Sequence, residues 1–198
     1  MNTLEAIANR RSIRRFKSTP VPRATIEKLI EVTGQAPSAK NRQPWRFVIL
    51  QGAAKDKLAR LMLDGAARLK AGGENIGSAE WSAGVIAQAP VTILVFNAAH
   101  EHDGLFFENP IYNAPDIQSI GGAIQTMLLA AEDLGLGTLW IADVLYAYNA
   151  IREWVGRREE LVAAVTLGYA DEAPGPRPRR PWQELTEWRD EDSSEARG

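Results

Sequence analysis

Residues 10–16 read Arg-Arg-Ser-Ile-Arg-Arg-Phe, four arginines within six positions of a chain whose formal net charge is only −2. Arginine offers a planar fork of donors that matches phosphate oxygens, and serine adds a short hydroxyl donor. Arg10, Arg11, Ser12, Arg14 and Arg15 are therefore candidates for holding an anion. If the region stays helical, Arg10 and Arg14 share a face, four residues apart. The same charges also suit a solvated helix end, where cations meet the negative end of the helix dipole. Residue types alone leave both readings open. A second basic cluster, Arg177, Arg179 and Arg180, lies in Gly-Pro-Arg-Pro-Arg-Arg-Pro-Trp over residues 175–182. Its prolines hold the stretch extended, so these arginines cannot retreat into a helix face. Convergence of the two clusters on one phosphate is the sharper reading; solvation against the acidic tail is the plainer one.

Three other stretches carry chemically useful residues. Between Pro37 and Pro44, which stiffen its ends, the loop over 36–45 presents Ser38, Asn41 and Gln43 as donors and acceptors and then runs into Trp45. Such a loop can read the edge of a flat heteroaromatic ring; a surface connection whose Trp45 fills the core explains the same residues. Gly135 and Gly137 precede Thr-Leu-Trp-Ile-Ala-Asp at 138–143. A dinucleotide fingerprint needs strand, glycines, then helix, whereas here a helix leads in and a strand leads out, so a tight helix-to-strand turn is expected. His100, Glu101, His102 and Asp103 crowd one polar loop with no further histidine in the chain, and no metal site is expected there.

The elements that must position these residues follow from periodicity. Asn2 and Glu5 have capping-box spacing, and Leu4 and Ile7 begin an apolar helical stripe that delivers the chain to the arginines. Past a loop marked by Pro20 and Pro22, Ile26, Leu29, Ile30 and Thr33 share a second helix face ended by Gly34. Residues 46–50 have strand character. Residues 55–70 form a helix burying Leu58, Leu61, Met62 and Leu69, and 71–78 make a flexible break. The run over 91–96 is a strand buried on both faces. Residues 97–115 lack a clear period and read as a long loop forming part of a pocket wall, with Phe106, Phe107 and Tyr112 either covering a substrate or packing ordinarily. The longest helix spans 116–135, with Ile117, Ile120, Ile124, Met127, Leu128, Ala131 and Leu134 in phase and Gly135 as its cap. A strand over 137–143, a helix over 150–155 and a strand over 161–170 complete an α+β fold, a mixed sheet covered by helices. The chain reads as one domain, 1–198, with 171–198 as an extension. Trp182 and Trp188 in that polar extension need a surface to cover, on this fold or on another subunit.

Composition removes several classes of function. With 198 residues, 45% hydrophobic, the chain can bury an ordinary single core. It has no cysteine, which excludes disulfides, thiolate-bound metals and thiol nucleophiles. The longest apolar stretch, 89–99, is about half the ~20 residues of a membrane helix, and the first residues lack a signal-peptide run. A soluble cytoplasmic protein without membrane contact is expected. A sequence pI near 5.8 argues against nucleic acid as a partner.

Taken in order, four segments resemble the FMN-dependent nitroreductase family: the Arg-Arg-Ser-Ile-Arg-Arg-Phe stretch, Ala-Pro-Ser-Ala-Lys-Asn-Arg-Gln-Pro-Trp over 36–45 with its following strand, the Gly-Leu-Gly-Thr turn at 135–138, and Leu-Gly-Tyr at 167–169 with the basic residues after it. The resemblance implies a three-layer fold, an intertwined homodimer with flavin sites at the subunit interface, bound FMN, and NAD(P)H as a transient electron donor. It places Arg10 and Ser12, with Arg179 or Arg180, on the FMN phosphate, and Arg14 toward the ribityl chain or the N1 side of the ring. Pro37, Ser38 and Asn41 of the partner chain would border the ring, while Trp140, Ile141 and Ala142 pass beside N5. Arg11 and Gln43 belong to the same motifs and are carried over as cofactor-binding. Nitroaromatics, quinones or similar electron-poor aromatics are the implied acceptors. Reductive dehalogenation, flavin breakdown and non-catalytic flavin binding are the alternatives. The chain departs from the family pattern at Ala142, where glycine is frequent, and at Ala170, where proline is.

Overall fold

A computed structural model describes residues 1–101 and 110–189. The chain enters through helix α1 (Thr3–Asn9), α2 (Arg23–Thr33), strand β1 (Trp45–Gln51), α3 (Ala53–Ala71), α4 (Ala79–Gln88) and β2 (Val91–Glu101). It continues through α5 (Pro110–Asp133), β3 (Gly137–Ile141), α6 (Tyr148–Val155) and β4 (Glu159–Gly168). The strands lie in the order β1-β2-β4-β3, and each neighbouring pair is antiparallel. The mixed character expected of the sheet reduces to one parallel bridge, Ser12 to Thr138, outside the named strands.

β2 and β4 are central, and β2 explains why its sequence is continuously apolar. Val91, Ile93 and Val95 pack with Ile26 and Leu29 of α2 and Ile120, Ile124 and Met127 of α5. Leu94 and Phe96 face the other way, onto Leu58 and Met62 of α3, Ile86 of α4 and Ile151 of α6. Side chains alternate across a strand, so a sheet covered by helices on both faces needs an apolar residue at every position. Three layers result, with helices on either side of one sheet.

The capping box forms as its spacing implies: the Glu5 amide donates to Asn2 Oδ1 at 2.9 Å and the Asn2 amide to Glu5 Oε2 at 3.0 Å. At the far end of α5, Gly135 takes φ +71°, and the Leu136 amide donates back to the Ala131 carbonyl at 2.8 Å, which turns the helix directly into β3.

Three expectations are corrected and one unassigned helix is added. Leu4 and Ile7 do not face the core of their own protomer; both are exposed. Leu134, in phase with the buried stripe of α5, ends at the surface because the chain turns there. α5 starts at Pro110 rather than Asp116 and carries Pro115 within it, so the unpatterned stretch is shorter than it reads. Residues 79–88 form a helix that small residues disguise: Ala79, Ser82, Ala83, Val85 and Ile86 are buried while Trp81 is half exposed. His100, Glu101, His102, Asp103, Phe106, Phe107 and Tyr112, the residues considered for metal or substrate, lie outside the described side chains. Among the described residues no cluster could hold a metal ion, and no helix is long and apolar enough to cross a membrane.

Candidate anion site

α1 stops at Asn9. Arg10 has φ −54°, ψ 128°, and beyond it the chain is not helical, so the arginines do not share a helix face. The reason lies in what the backbone finds to pair with. The Ile13 amide donates to the Thr138 carbonyl of β3 at 2.8 Å, the Lys17 amide to Tyr169 and the Asp171 amide to Arg15, both at 2.9 Å. Extended backbone sends alternate side chains to opposite sides. Ile13 is buried against β3, where Gly137 makes room: a Cβ at Gly137 would sit 2.7 Å from Ile13 Cγ1. Arg10, Ser12 and Arg14 fall on the other alternation and line a cavity of about 280 Å³.

The second basic cluster forms the opposite wall. Pro174, Gly175, Pro176, Arg177 and Arg179 line the same cavity, together with Arg11. Five arginines and Ser12 thus line one space, and no Asp or Glu among the described residues joins them. None of the five is ion-paired with a carboxylate among the described residues. Arg11 turns its Nη1 back to the Ala8 and Arg10 carbonyls at 2.7 and 3.0 Å, satisfying the end of α1. Arg14 donates from Nη1 to the Ser12 carbonyl at 3.0 Å, and its guanidinium lies 5.4 Å from the centre of the Trp81 ring. Glu172, just outside this lining, accepts the amides of Arg14 and Arg15. Arg180 is exposed and does not line the cavity.

The polar loop lies elsewhere in the protomer. Its residues Lys40, Asn41 and Gln43 take φ of 53°, 53° and 48°, the left-handed region that side chains other than glycine enter at a cost of about 1–2 kcal/mol each. Fixed contacts hold them there. The Gln43 amide donates to Ser38 Oγ at 3.0 Å, the Ala39 amide to Ser119 Oγ at 3.1 Å, and Arg42 pairs with the buried Asp116 at 3.0 Å. Pro37, Asn41 and Gln43 point outward. Ser119 is near the start of α5, whereas Glu132, near its end, lines a neighbouring cavity with Arg11. Thirteen residues of helix separate them by about 20 Å. Within one protomer, therefore, the loop and the arginines contribute to different surfaces.

β3 is an edge strand. Ile141 is buried and Trp140 is partly exposed, its indole reaching toward Gly121 of α5. Thr138 turns its carbonyl outward to Ile13, so by strand alternation the Trp140 amide also faces the open edge. The following 3₁₀ turn, Asp143–Ala147, is tied to the start of α4: Ser78 Oγ and Ser82 Oγ both donate to Asp143 Oδ2, at 2.6 and 2.5 Å. Those bonds hold Trp81 beside Arg14. Neither the α4 contacts nor Glu172 stood out in the sequence. A tryptophan among small residues and an acid directly after a strand, just ahead of a basic run, were the available signals.

The family profile described as the nitroreductase family matches residues 7–169, most of the chain. The chain belongs to the nitroreductase family. A relative in Methanothermobacter thermautotrophicus, named for NADH dehydrogenase or NAD(P)H nitroreductase activity, is 29% identical over 89% of this chain and 82% of its own. Among solved structures, a protein of Desulfovibrio desulfuricans assigned as a nitroreductase and crystallised with FMN is 27% identical. It superimposes with a TM-score of 0.72 over 97% of this chain and 99% of that one. The nitroreductase NfnB of Mycobacterium smegmatis, solved with NADPH, is 21% identical with a TM-score of 0.74, covering 94% and 98%; it speaks for the fold. In this nitroreductase-family protein the two departures are benign for the backbone. Ala142 sits at φ −88°, ψ −19°, where glycine is not needed. Ala170 bridges Phe16, so the basic tail is anchored without the proline.

Proposed function

We propose that this chain is an FMN-dependent oxidoreductase that uses NAD(P)H to reduce nitroaromatic, quinone or similar electron-poor aromatic acceptors. The observation that carries the reading is the cavity in which Arg10, Ser12, Arg14, Arg177 and Arg179 converge, with no Asp or Glu in the lining among the described residues. A phosphate monoester fits that chemistry: it is dianionic, planar forks match its oxygens, and a serine hydroxyl completes the donor set. The relatives' names supply FMN and NAD(P)H, and family membership supplies the reaction class.

In this reading Arg10, Ser12, Arg177 and Arg179 hold the phosphate, and Arg11 closes the end of α1 behind them. Arg14 stands toward the ribityl chain or the N1 side of the ring, where a fixed cation stabilises negative charge developing on reduction. Trp140, Ile141 and Ala142 run along the ring's N5 side, with the Trp140 amide on the open strand edge as a donor. Pro37, Ser38, Asn41 and Gln43 complete the site from a second copy of the chain, because their own protomer holds the loop beside Asp116 and Ser119 of α5, away from the arginine cavity. FMN held by these residues would supply the two-electron chemistry, hydride from NAD(P)H being passed on to an acceptor that takes the donor's place. The protein needs no nucleophile of its own, in keeping with a chain that has no cysteine. The extension beyond residue 171 packs on the partner chain, giving Trp182 and Trp188 a surface.

The test is an absorption spectrum of the purified protein, followed by anaerobic titration with NADPH and then NADH. A flavin band that bleaches with either donor is expected. A bound flavin that neither donor reduces, or a protein that takes up no FMN, would sink the proposal.

A further inference from the structure

Glu172 ties the segment of the first arginine cluster to the start of the arm that carries the second. Its Oε1 accepts the Arg14 amide at 2.5 Å and the Arg15 amide at 3.1 Å, and its Oε2 lies 3.7 Å from Arg15 Nε. The side chain is four-fifths buried, and the carboxylate opens onto the neighbouring cavity rather than the arginine-lined one. Around it the two segments are stitched as a short antiparallel ladder, with Lys17 donating to Tyr169 and Asp171 to Arg15. Gly168 permits that approach, since a Cβ there would meet Pro90 Cδ at 2.6 Å and Phe16 at 3.0 Å.

We infer that Glu172 is the positioning residue of the anion site. It fixes the backbone of Arg14 on one side and, five residues before Arg177, sets where the proline-rich arm leaves the sheet on the other. An acid beside five arginines would ordinarily neutralise a guanidinium. This one is engaged instead by two backbone amides and by Arg15, whose side chain does not line the cavity. The site keeps its full positive charge while the carboxylate supplies the geometry. The inference rests on the FMN reading for the identity of the ligand, but the clip itself concerns any phosphate bound there.

The experiment compares wild type, E172Q, E172A and E172D for FMN and riboflavin affinity by fluorescence titration, with inorganic phosphate followed by thermal shift. Riboflavin lacks the phosphate, so it reports on the rest of the site. Glutamine retains an oxygen that can accept both amides; aspartate withdraws it. E172A and E172D are expected to weaken FMN about tenfold, the scale of one lost charge-assisted contact. Riboflavin should change by less than about threefold, and E172Q should stay within about threefold of wild type for both. Should E172A not fold, E172D against E172Q carries the comparison. Equal losses of FMN and riboflavin, or no loss of FMN in E172A and E172D, would overturn the inference. If wild type binds phosphate but no flavin, and E172D loses the phosphate response, the FMN reading fails and the clip stands. A wild type that binds neither would overturn both.

Discussion

At the scale of single residues, the site is an account of which arginine reaches where. The proline-rich arm carries three arginines, but only Arg177 and Arg179 line the cavity. Arg177→Ala and Arg179→Ala should each weaken FMN by roughly tenfold, as expected for one charge-assisted hydrogen bond. Arg180→Ala should be close to neutral, which a titration of the three variants side by side will show. Away from the site, Glu159 offers a residue whose charge matters to stability. Burial pushes its carboxyl up, but backbone amides and the Arg157 guanidinium 2.8 Å away outweigh burial and hold it below the ordinary range. A depressed carboxyl stabilises the fold above its unfolded pKa and loses that contribution as pH falls through its folded value. The Tm difference between wild type and Arg157→Ala should therefore be largest near neutral pH and shrink on acidification toward pH ~3. A difference that grows with acid would contradict the assignment.

At the scale of elements, the arginine segment works because it is a strand-like lodger on β3 rather than the tail of α1. Both basic clusters were legible from composition and spacing, and so was the buried strand β2, whose apolar run has no polar alternation to misread. What was not legible was conformation beyond Asn9. A helical period pairs Arg10 with Arg14, whereas the extended period groups Arg10, Ser12 and Arg14, and only the pairing with Thr138 and Tyr169 decides between them. α4 was missed because alanine and serine bury as readily as larger residues when another helix lies close, leaving no contrast for a periodic reading. Glu172 was invisible for a different reason: its partners are backbone amides 157 and 158 positions away. The close approach on β3 is testable. Gly137→Ala forces a methyl into Ile13, and such overpacking costs about 1–3 kcal/mol. Chemical denaturation should register that loss, and FMN affinity should fall with it because the displaced segment carries Arg10, Arg11, Ser12 and Arg14 of the cavity. Retention of wild-type affinity would show that the segment is not held by this contact.

At the scale of the whole molecule, two of the exposed apolar groups among the described residues stand out. Leu4 and Ile7 project from α1, and Trp182, Leu185 and Trp188 project from the arm, each more than half exposed. Isolated surface residues of this kind are ordinary, but three large ones within seven positions of a polar arm are not. All three are mostly exposed on their own chain, so the protomer should tolerate their loss. A variant with Trp182, Leu185 and Trp188 all changed to serine is expected to keep its secondary structure by circular dichroism. In sedimentation its mass should fall from dimer toward monomer, with bound FMN lost in parallel. A stable flavin-bearing dimer would show that the arm is not what joins the copies.

The ladder between residues 13–17 and 169–172 also fixes an order of events at the ribosome. The first arginines emerge at the start of synthesis, yet the strand edge they lean on arrives with Thr138 and their clip with Glu172. The opposite wall, Arg177 and Arg179, comes later still. Contacts spanning most of a chain are among the last to form, since the intervening loop must close first. A growing chain therefore has no pocket to fill until Arg177 and Arg179 have left the exit tunnel. Loading of a phosphate-bearing ligand here must wait for residue 179, and a chain interrupted before residue 172 is released without the clip or the opposite wall.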